Sequence, residues 1–346
     1  GELSVNLSKI LNLNIKYIFF IIHLFIFLIF HFLFYKFFSN FKRNYFFYIL
    51  CFSPLVFLYP ISTFEAFARK EIFYITFFLI NCYILVKIEN RNLAFWSTNT
   101  FILLSYFIHE SSLVFIYFYY FSFLIFLKKK EYPIKFNEIF FAFVTFVLLI
   151  VLTFLPVTDE KMLKMVVFIS DNFYDVSRST GAISSLQENL KDAVRFWDTN
   201  PANIFDIFQH ILIIHFVFIF INFLFKFNFF KLGKFFSVFT LITFFSPIVL
   251  FIIGWDWGRF VYILYNFSLI FTFYCLYNEK NIFFKIDELI HLVNINHRVK
   301  ILFTLCYLSL WCPKLLYYEN IEPFALVKLI MQLINYSIKY SSILLL

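Results

Sequence analysis

Apolar runs recur from one end of the chain to the other, parted by short polar turns. Crossing a bilayer takes about 17 to 25 residues, and on that measure the pattern predicts ten spans and a weaker eleventh. The first is Tyr17 to Phe38, closed by the basic turn Lys42, Arg43; the second is Tyr45 to Tyr59, ending at Pro60. A third opens amphipathically as FEAFARKEIF and runs to Val86. Leu93 to Ile108, Ser111 to Leu127 and Phe136 to Leu155 make the fourth, fifth and sixth. Ile204 to Phe225, Phe235 to Ile253, Phe260 to Tyr277 and Ile301 to Trp311 follow. The last stretch, 324–346, reads as a span or an interfacial helix, because Lys328, Gln332, Asn335 and Lys339 recur along it.

One segment breaks the rhythm. Residues 156–203 carry most of the mid-sequence charge, and a connection this long is unusual unless it has a function or is disordered. Within it Leu186, Leu190, Ala193, Val194 and Trp197 fall at helical spacing, which predicts an amphipathic helix at the membrane surface. The expected architecture is an all-α polytopic membrane domain over 1–346, with one long extracytoplasmic loop.

Composition agrees. Of 346 residues, 62% are apolar and 14% charged, against about 25% charge in soluble domains; mean hydropathy is +0.83. The 60 phenylalanines look like a genome's codon bias acting wherever any large apolar residue serves, and no function is read from them. Five cysteines at irregular spacing give neither a disulfide frame nor a zinc pattern. Gly1 to Lys16 has neither the charged start nor the cleavage site of a signal peptide.

The net charge of +8 sits in short clusters between spans, as the positive-inside rule expects, so it orients the protein and carries no nucleic-acid role. Lys42/Arg43, Lys87/Arg91, Lys128 to Lys130, Lys226/Lys231/Lys234 and the 280–300 stretch then share the cytoplasmic side. Every cluster with chemical potential faces the other way: Glu65 to Glu71, His109/Glu110, the long loop, and Asp256/Arg259.

Each cluster has two readings. In FIIGWDWGRF (251–260) Asp256 and Arg259 stand at ion-pair spacing on a helix, and Trp255 and Trp257 suit an interfacial aromatic belt. Yet ionisable groups bordering spans are costly and are usually kept for a function or a partner. Glu65 and Arg69 can pair at i,i+4; alternatively Arg69 and Lys70 add positive charge to a helix N-terminus that already favours anions. Glu110, followed by Ser111 and Ser112, either caps the next helix or forms an acid/base pair with His109. Arg178 and Arg195, with Asp171 and Asp175, are ordinary loop charges or bidentate phosphate ligands. Taken together they describe an aromatic-walled pocket of mixed charge at the outer membrane boundary, suited to a lipid tail, a phosphate or diphosphate, and a hydroxyl-rich head.

The ordered series YPISTFEAFARKE, FIHESSLVF, a long outward loop and GWDWGRF resembles the polysaccharide polymerases of bacterial surface-glycan clusters. These are the Wzy-type and EpsG-like O-antigen or capsule polymerases, and the similarity runs from about Pro60 to Tyr277. The resemblance implies a GT-C-like membrane glycosyltransferase of the bacterial inner membrane, with its active face outward. It implies that a glycan is moved from an undecaprenyl-diphosphate carrier to a hydroxyl of the next lipid-linked repeat unit, without nucleotide sugar, cofactor or obligatory metal. By position in the motifs, Arg69, Lys70, Arg178 and Arg259 would bind diphosphate. His109, Glu110 and Asp256 would be the catalytic candidates, and Glu65, Trp255 and Trp257 would line the substrate site. Partners would be the lipid-linked glycans, membrane lipids, a chain-length regulator and a flippase. The loop arginine pattern of such polymerases is not clearly reproduced at Arg178 and Arg195.

Three other functions compete. An O-antigen ligase shares donor and chemistry. A membrane acyltransferase would use His109 as base but needs a cytoplasmic donor, whereas His109 is expected outward. A glycan flippase would need charges spread through the spans and commonly has repeated halves, which are not seen here.

Overall fold

The computed structural model describes residues 7, 9–39, 53–56, 59–60, 69–153, 160, 167, 234–253, 257–278, 297–309, 311–313, 321–323, 330–331 and 334. Its body is helical. In order come α1 (Ile15–Phe38), α2 (Glu71–Lys87), α3 (Arg91–Ile108), a 3-10 helix (Glu110–Phe115) and α4 (Ile116–Lys129). They are followed by α5 (Phe136–Thr153), α6 (Lys234–Phe245), α7 (Ile248–Ile253), α8 (Trp257–Asn278) and α9 (His297–Ser309).

Among the described residues four helices are long and apolar enough to cross a membrane: Ile15–Phe38, Glu110–Lys129, Phe136–Thr153 and Arg259–Asn278. The chain is thus a membrane protein by its helices. The third expected span begins as a helix at Glu71, and its 17 residues fall just short in length. The second and seventh spans, the long loop with its amphipathic helix, and the 324–346 segment lie largely or wholly outside the described residues.

One expectation is corrected. The span at 235–253 is broken at Ser246–Pro247 into α6 and α7, since proline lacks the N–H that would continue the helix. The body is all-helical, and a short hairpin is added near the C-terminus. There α9 stops at Ser309, and β1 (Trp311–Pro313) pairs antiparallel with β2 (Ile321–Pro323), Cys312 opposite Glu322. Cys312 and Glu322 each precede a proline, which biases them toward extended backbone.

Packing sets an inside and an outside. Helix α2 is the hub, touching α1, α3, α4 and α8. Like α8 it is buried around most of its circumference, as expected of a helix that is apolar on all sides. For α8, 89% of its spanning window is inside the protein; for α5 the figure is 11%, so α5 turns Phe136, Phe140, Phe143 and Val147 outward. In a bilayer that face meets lipid, because apolar surface gains nothing by leaving hydrocarbon.

Aromatic rings fill the interior. Phe267 of α8 stacks on Phe78 of α2 at 4.6 Å and on Phe115 of the 3-10 helix at 4.7 Å. Interhelical hydrogen bonds supply the polar cohesion that membrane bundles use. Thr98 donates to Asn81 Oδ1 (3.3 Å), Tyr120 donates to Asn99 Oδ1 (2.9 Å), and the Ser105 and Tyr119 hydroxyls meet at 2.8 Å. Helix α3 turns its polar stripe inward for this purpose, with Thr98, Asn99 and Ser105 all buried.

The two ends of the bundle differ in chemistry. At one, Lys129 Nζ donates to Asn278 Oδ1 (2.8 Å), Lys130 lies 3.4 Å from Glu89, and Arg91 grips Glu138. Lys36 and Lys87 flank the Tyr83 ring there. At the opposite end the N-termini of α2 and α8 come together with the turn between α3 and the 3-10 helix, as the alternation of basic turns predicts.

Candidate functional site

The second end holds a buried carboxylate. Glu71 stands in the first turn of α2 and is only 2% exposed; Arg259, in the first turn of α8 and 13% exposed, places Nε 3.2 Å from Glu71 Oε1. A helix N-terminus suits an anion, since its free amides and aligned peptide dipoles carry partial positive charge. Both the arginine and the start of α2 therefore hold Glu71 in place. The pairing is incomplete: Glu71 Oε2 is buried without a hydrogen bond. Leaving a buried acceptor unsatisfied costs about 1–3 kcal/mol, more for a charged group.

Glu71 also lines a recess of about 280 Å³, counting the space at its open mouth. The other walls are His23 and Phe27 of α1, Tyr59 and Pro60, Arg69, Ile72 and Tyr262 of α8. The rings of Tyr59 and Tyr262 stack at 4.6 Å, and the buried Tyr262 hydroxyl has no hydrogen bond. His23 Nδ1 lies 2.9 Å from the Phe19 carbonyl oxygen, to which it must donate. In neutral His23 the proton is then on Nδ1, and Nε2 is an acceptor.

His109 sits beside this centre. Its Nδ1 accepts a hydrogen bond from the Ser111 backbone N–H at 3.1 Å, so His109 itself caps the 3-10 helix. The capping function expected of Glu110 and the serines belongs to the histidine. Because Nδ1 is an acceptor, the neutral ring carries its proton on Nε2, and His109 offers a donor outward from the cap. Burial holds its pKa below the ordinary 6.5. Glu110 and Glu71 pull it up, while Arg259 and Lys70 push it down. Glu110, exposed, brings Oε1 to 3.6 Å from His109 Nδ1.

The structure thus assembles Arg69, Lys70, His109, Glu110 and Arg259 at one end of the bundle, from three separate stretches of sequence. Lys70 is the exposed cap of α2, and Trp257 opens α8. Glu65, Arg178, Arg195, Trp255 and Asp256 lie outside the described residues.

Sequence reasoning grouped Glu71 with its neighbours but gave it no role, and it passed over His23, Tyr59 and Tyr262. A usable signal was present for Glu71: it is the last charge before EIFYITFFLI turns uninterruptedly apolar, so it is the charge drawn deepest. Tyr262 and His23 carry no such mark, being aromatic residues within apolar runs. No metal-holding group of three or more His, Cys, Asp or Glu occurs among the described residues. Comparison with protein-family models, curated proteins and solved structures gives no match.

Proposed function

We propose that the protein is a membrane glycosyltransferase that joins lipid-diphosphate-linked oligosaccharide repeat units into a surface polysaccharide. The observation that carries this reading is the placement of Arg259, Arg69 and Lys70 around a buried glutamate and a histidine donor, at the rim of an apolar helical bundle. A diphosphate with a lipid tail fits such a rim: the tail lies along the aromatic bundle, and the head meets the guanidinium groups and the start of α2.

Transfer from a diphosphate needs charge stabilisation as the leaving group departs, and pre-oriented arginines supply it. Removing one such donor typically costs about 10²–10³ in kcat. It also needs one base for the acceptor hydroxyl, for which His109, Glu110 and Asp256 are the candidates from the motifs. The Nε2–H of His109 suits hydrogen bonding to a phosphate oxygen. Arg178 would reach the same substrate from the long loop, while Glu65, Trp255 and Trp257 would shape the sugar site. On this reading the fold is GT-C-like with ten or eleven spans, set in the bacterial inner membrane with the site outward. Undecaprenyl-diphosphate glycans are then its substrates, and a flippase and a chain-length regulator its partners.

The test is the glycan ladder on gels from cells whose own copy is deleted and replaced by wild type or by Arg69→Ala, His109→Ala or Arg259→Ala, with membrane levels matched. Single-repeat glycan in the deletion strain, lengthened by wild type but not by the arginine variants, is the expected result. Total loss of surface glycan in the deletion would point instead to ligation or export. An unchanged ladder in the deletion would remove the polymerase reading.

A further inference from the structure

The recess beside Glu71 has features of a site built for a hydroxyl group. Two of its buried polar atoms, Glu71 Oε2 and the Tyr262 hydroxyl, have no hydrogen-bond partner. Native interiors satisfy the great majority of such atoms, so two on one small cavity call for an explanation. The groups are complementary in kind. Glu71 Oε2 accepts, the Tyr262 hydroxyl donates or accepts, and an alcohol, which donates once and accepts twice, can meet both. Arg259 stands at Oε1, the other oxygen, so Oε2 is the one left for a ligand. The depth limits how a ligand can arrive: with Glu71 only 2% exposed, a hydroxyl meets it end-on while the rest of the ligand stays toward the mouth of the recess. The stacked rings of Tyr59 and Tyr262 present an aromatic wall against which the remainder of a flat ring can rest.

We infer that this recess is the acceptor-hydroxyl subsite, with Glu71 as its general base and Tyr262 as the group that orients the hydroxyl. The inference rests on the glycosyl-transfer reading above and gives Glu71 the role that the sequence motifs offered to His109, Glu110 or Asp256. In the step, the acceptor oxygen forms a bond to the anomeric carbon of the donor glycan and its proton passes to Glu71 Oε2. The bond from that carbon to the diphosphate oxygen breaks, and its electron pair leaves with the diphosphate. Glu71 then gives its proton to water or to the departing diphosphate, restoring the carboxylate.

The experiment uses the full chain in membranes of the deletion strain, with lipid-linked repeat units as both donor and acceptor. Wild type is compared with Glu71→Gln, Glu71→Asp and Tyr262→Phe. Glu71→Gln keeps the shape and loses the base, so chain extension should fall by at least 100-fold while membranes still bind the lipid-linked unit. Glu71→Asp should recover part of the activity. Tyr262→Phe should raise the KM for acceptor several-fold with kcat within a factor of three of wild type. A normal ladder from Glu71→Gln, with wild type active, overturns the base assignment and leaves the polymerase reading standing. If Glu71→Gln does not accumulate, Tyr262→Phe decides: an unchanged acceptor KM overturns the subsite. Wild type that fails to extend chains at all overturns both readings.

Discussion

Arg91 and Glu138 meet at one end of the bundle through two parallel hydrogen bonds of 2.7 and 2.6 Å, whereas Arg259 and Glu71 meet at the other through one contact of 3.2 Å. The first pair is completed by its surroundings. Arg91 also donates to the Pro133 carbonyl oxygen (2.6 Å), and Glu138 Oε2 also accepts from the Lys135 N–H (3.3 Å). It ties the start of α3 to the start of α5 with both carboxylate oxygens engaged. In the second pair the carboxylate is the more deeply buried, 2% exposed against 11%, yet one of its oxygens has no hydrogen bond. Identical residue types thus serve different ends, and the number of satisfied atoms separates them better than burial does. A bidentate fork joins two helix starts, while the carboxylate at the recess keeps one oxygen without a hydrogen bond.

Breaking the two pairs in turn should expose this difference. Arg259→Ala should reduce chain extension by at least 100-fold, read from the ladder at matched membrane levels; activity within threefold of wild type would end the contrast. Arg91→Ala should do the reverse, destabilising the protein in detergent by about 1–3 kcal/mol, the range for hydrogen bonds to charged groups, with less than a threefold effect on the ladder. An Arg91→Ala protein of unchanged thermal midpoint would show that the fork holds nothing.

Acid sharpens the comparison through His109. Its folded pKa lies below 6.5 because burial and the nearby Arg259 and Lys70 disfavour the imidazolium. The unfolded chain therefore takes up the proton first, and acid favours unfolding. The contribution of His109 is full above about pH 6.5, the unfolded value, and is lost as pH falls through the folded pKa. Protonating Nδ1 would also displace the Ser111 cap bond. Wild type should lose more thermal stability between pH 7.5 and 5.5 than His109→Gln does, and equal losses would contradict the assignment. The smallest effect belongs to the basic end, where Lys129→Ala removes an exposed contact to Asn278. Its stability should stay within about 0.5 kcal/mol of wild type, and a larger shift in the unfolding midpoint would mean that this end, too, is built for more than orientation.

Part of this was readable from the chain. Positions such as Glu71, Arg259 and His109 stand out because a charge at the margin of an apolar run is expensive, and the basic turns divide the chain into two ends before any helix is packed. The starts and stops of α1, α3, α4, α5 and α8 fall within a few residues of the apolar runs. The meeting of charges from distant helices was not readable. Spacing along one helix suggested Asp256 for Arg259 and Glu65 for Arg69, since neighbours in sequence are the only neighbours a sequence displays. Among the described residues Arg259 meets Glu71, which lies 188 positions away by subtraction of the residue numbers, while Asp256 and Glu65 lie outside the described residues.

By itself the sequence determined that this is a membrane-embedded helical protein with one chemically distinct rim. Hydropathy and charge act on each residue through the solvent around it, and that information is local. Only the tertiary structure decided which helices are interior, that α2 is the hub, and that Glu71 faces Arg259 and a recess walled by Tyr59 and Tyr262. These depend on how aromatic side chains from distant segments interlock, as Phe267 does with Phe78 and Phe115. Ring packing of that kind is a property of surfaces in contact, and a chain rich in phenylalanine offers too many equivalent surfaces for its order alone to choose between them.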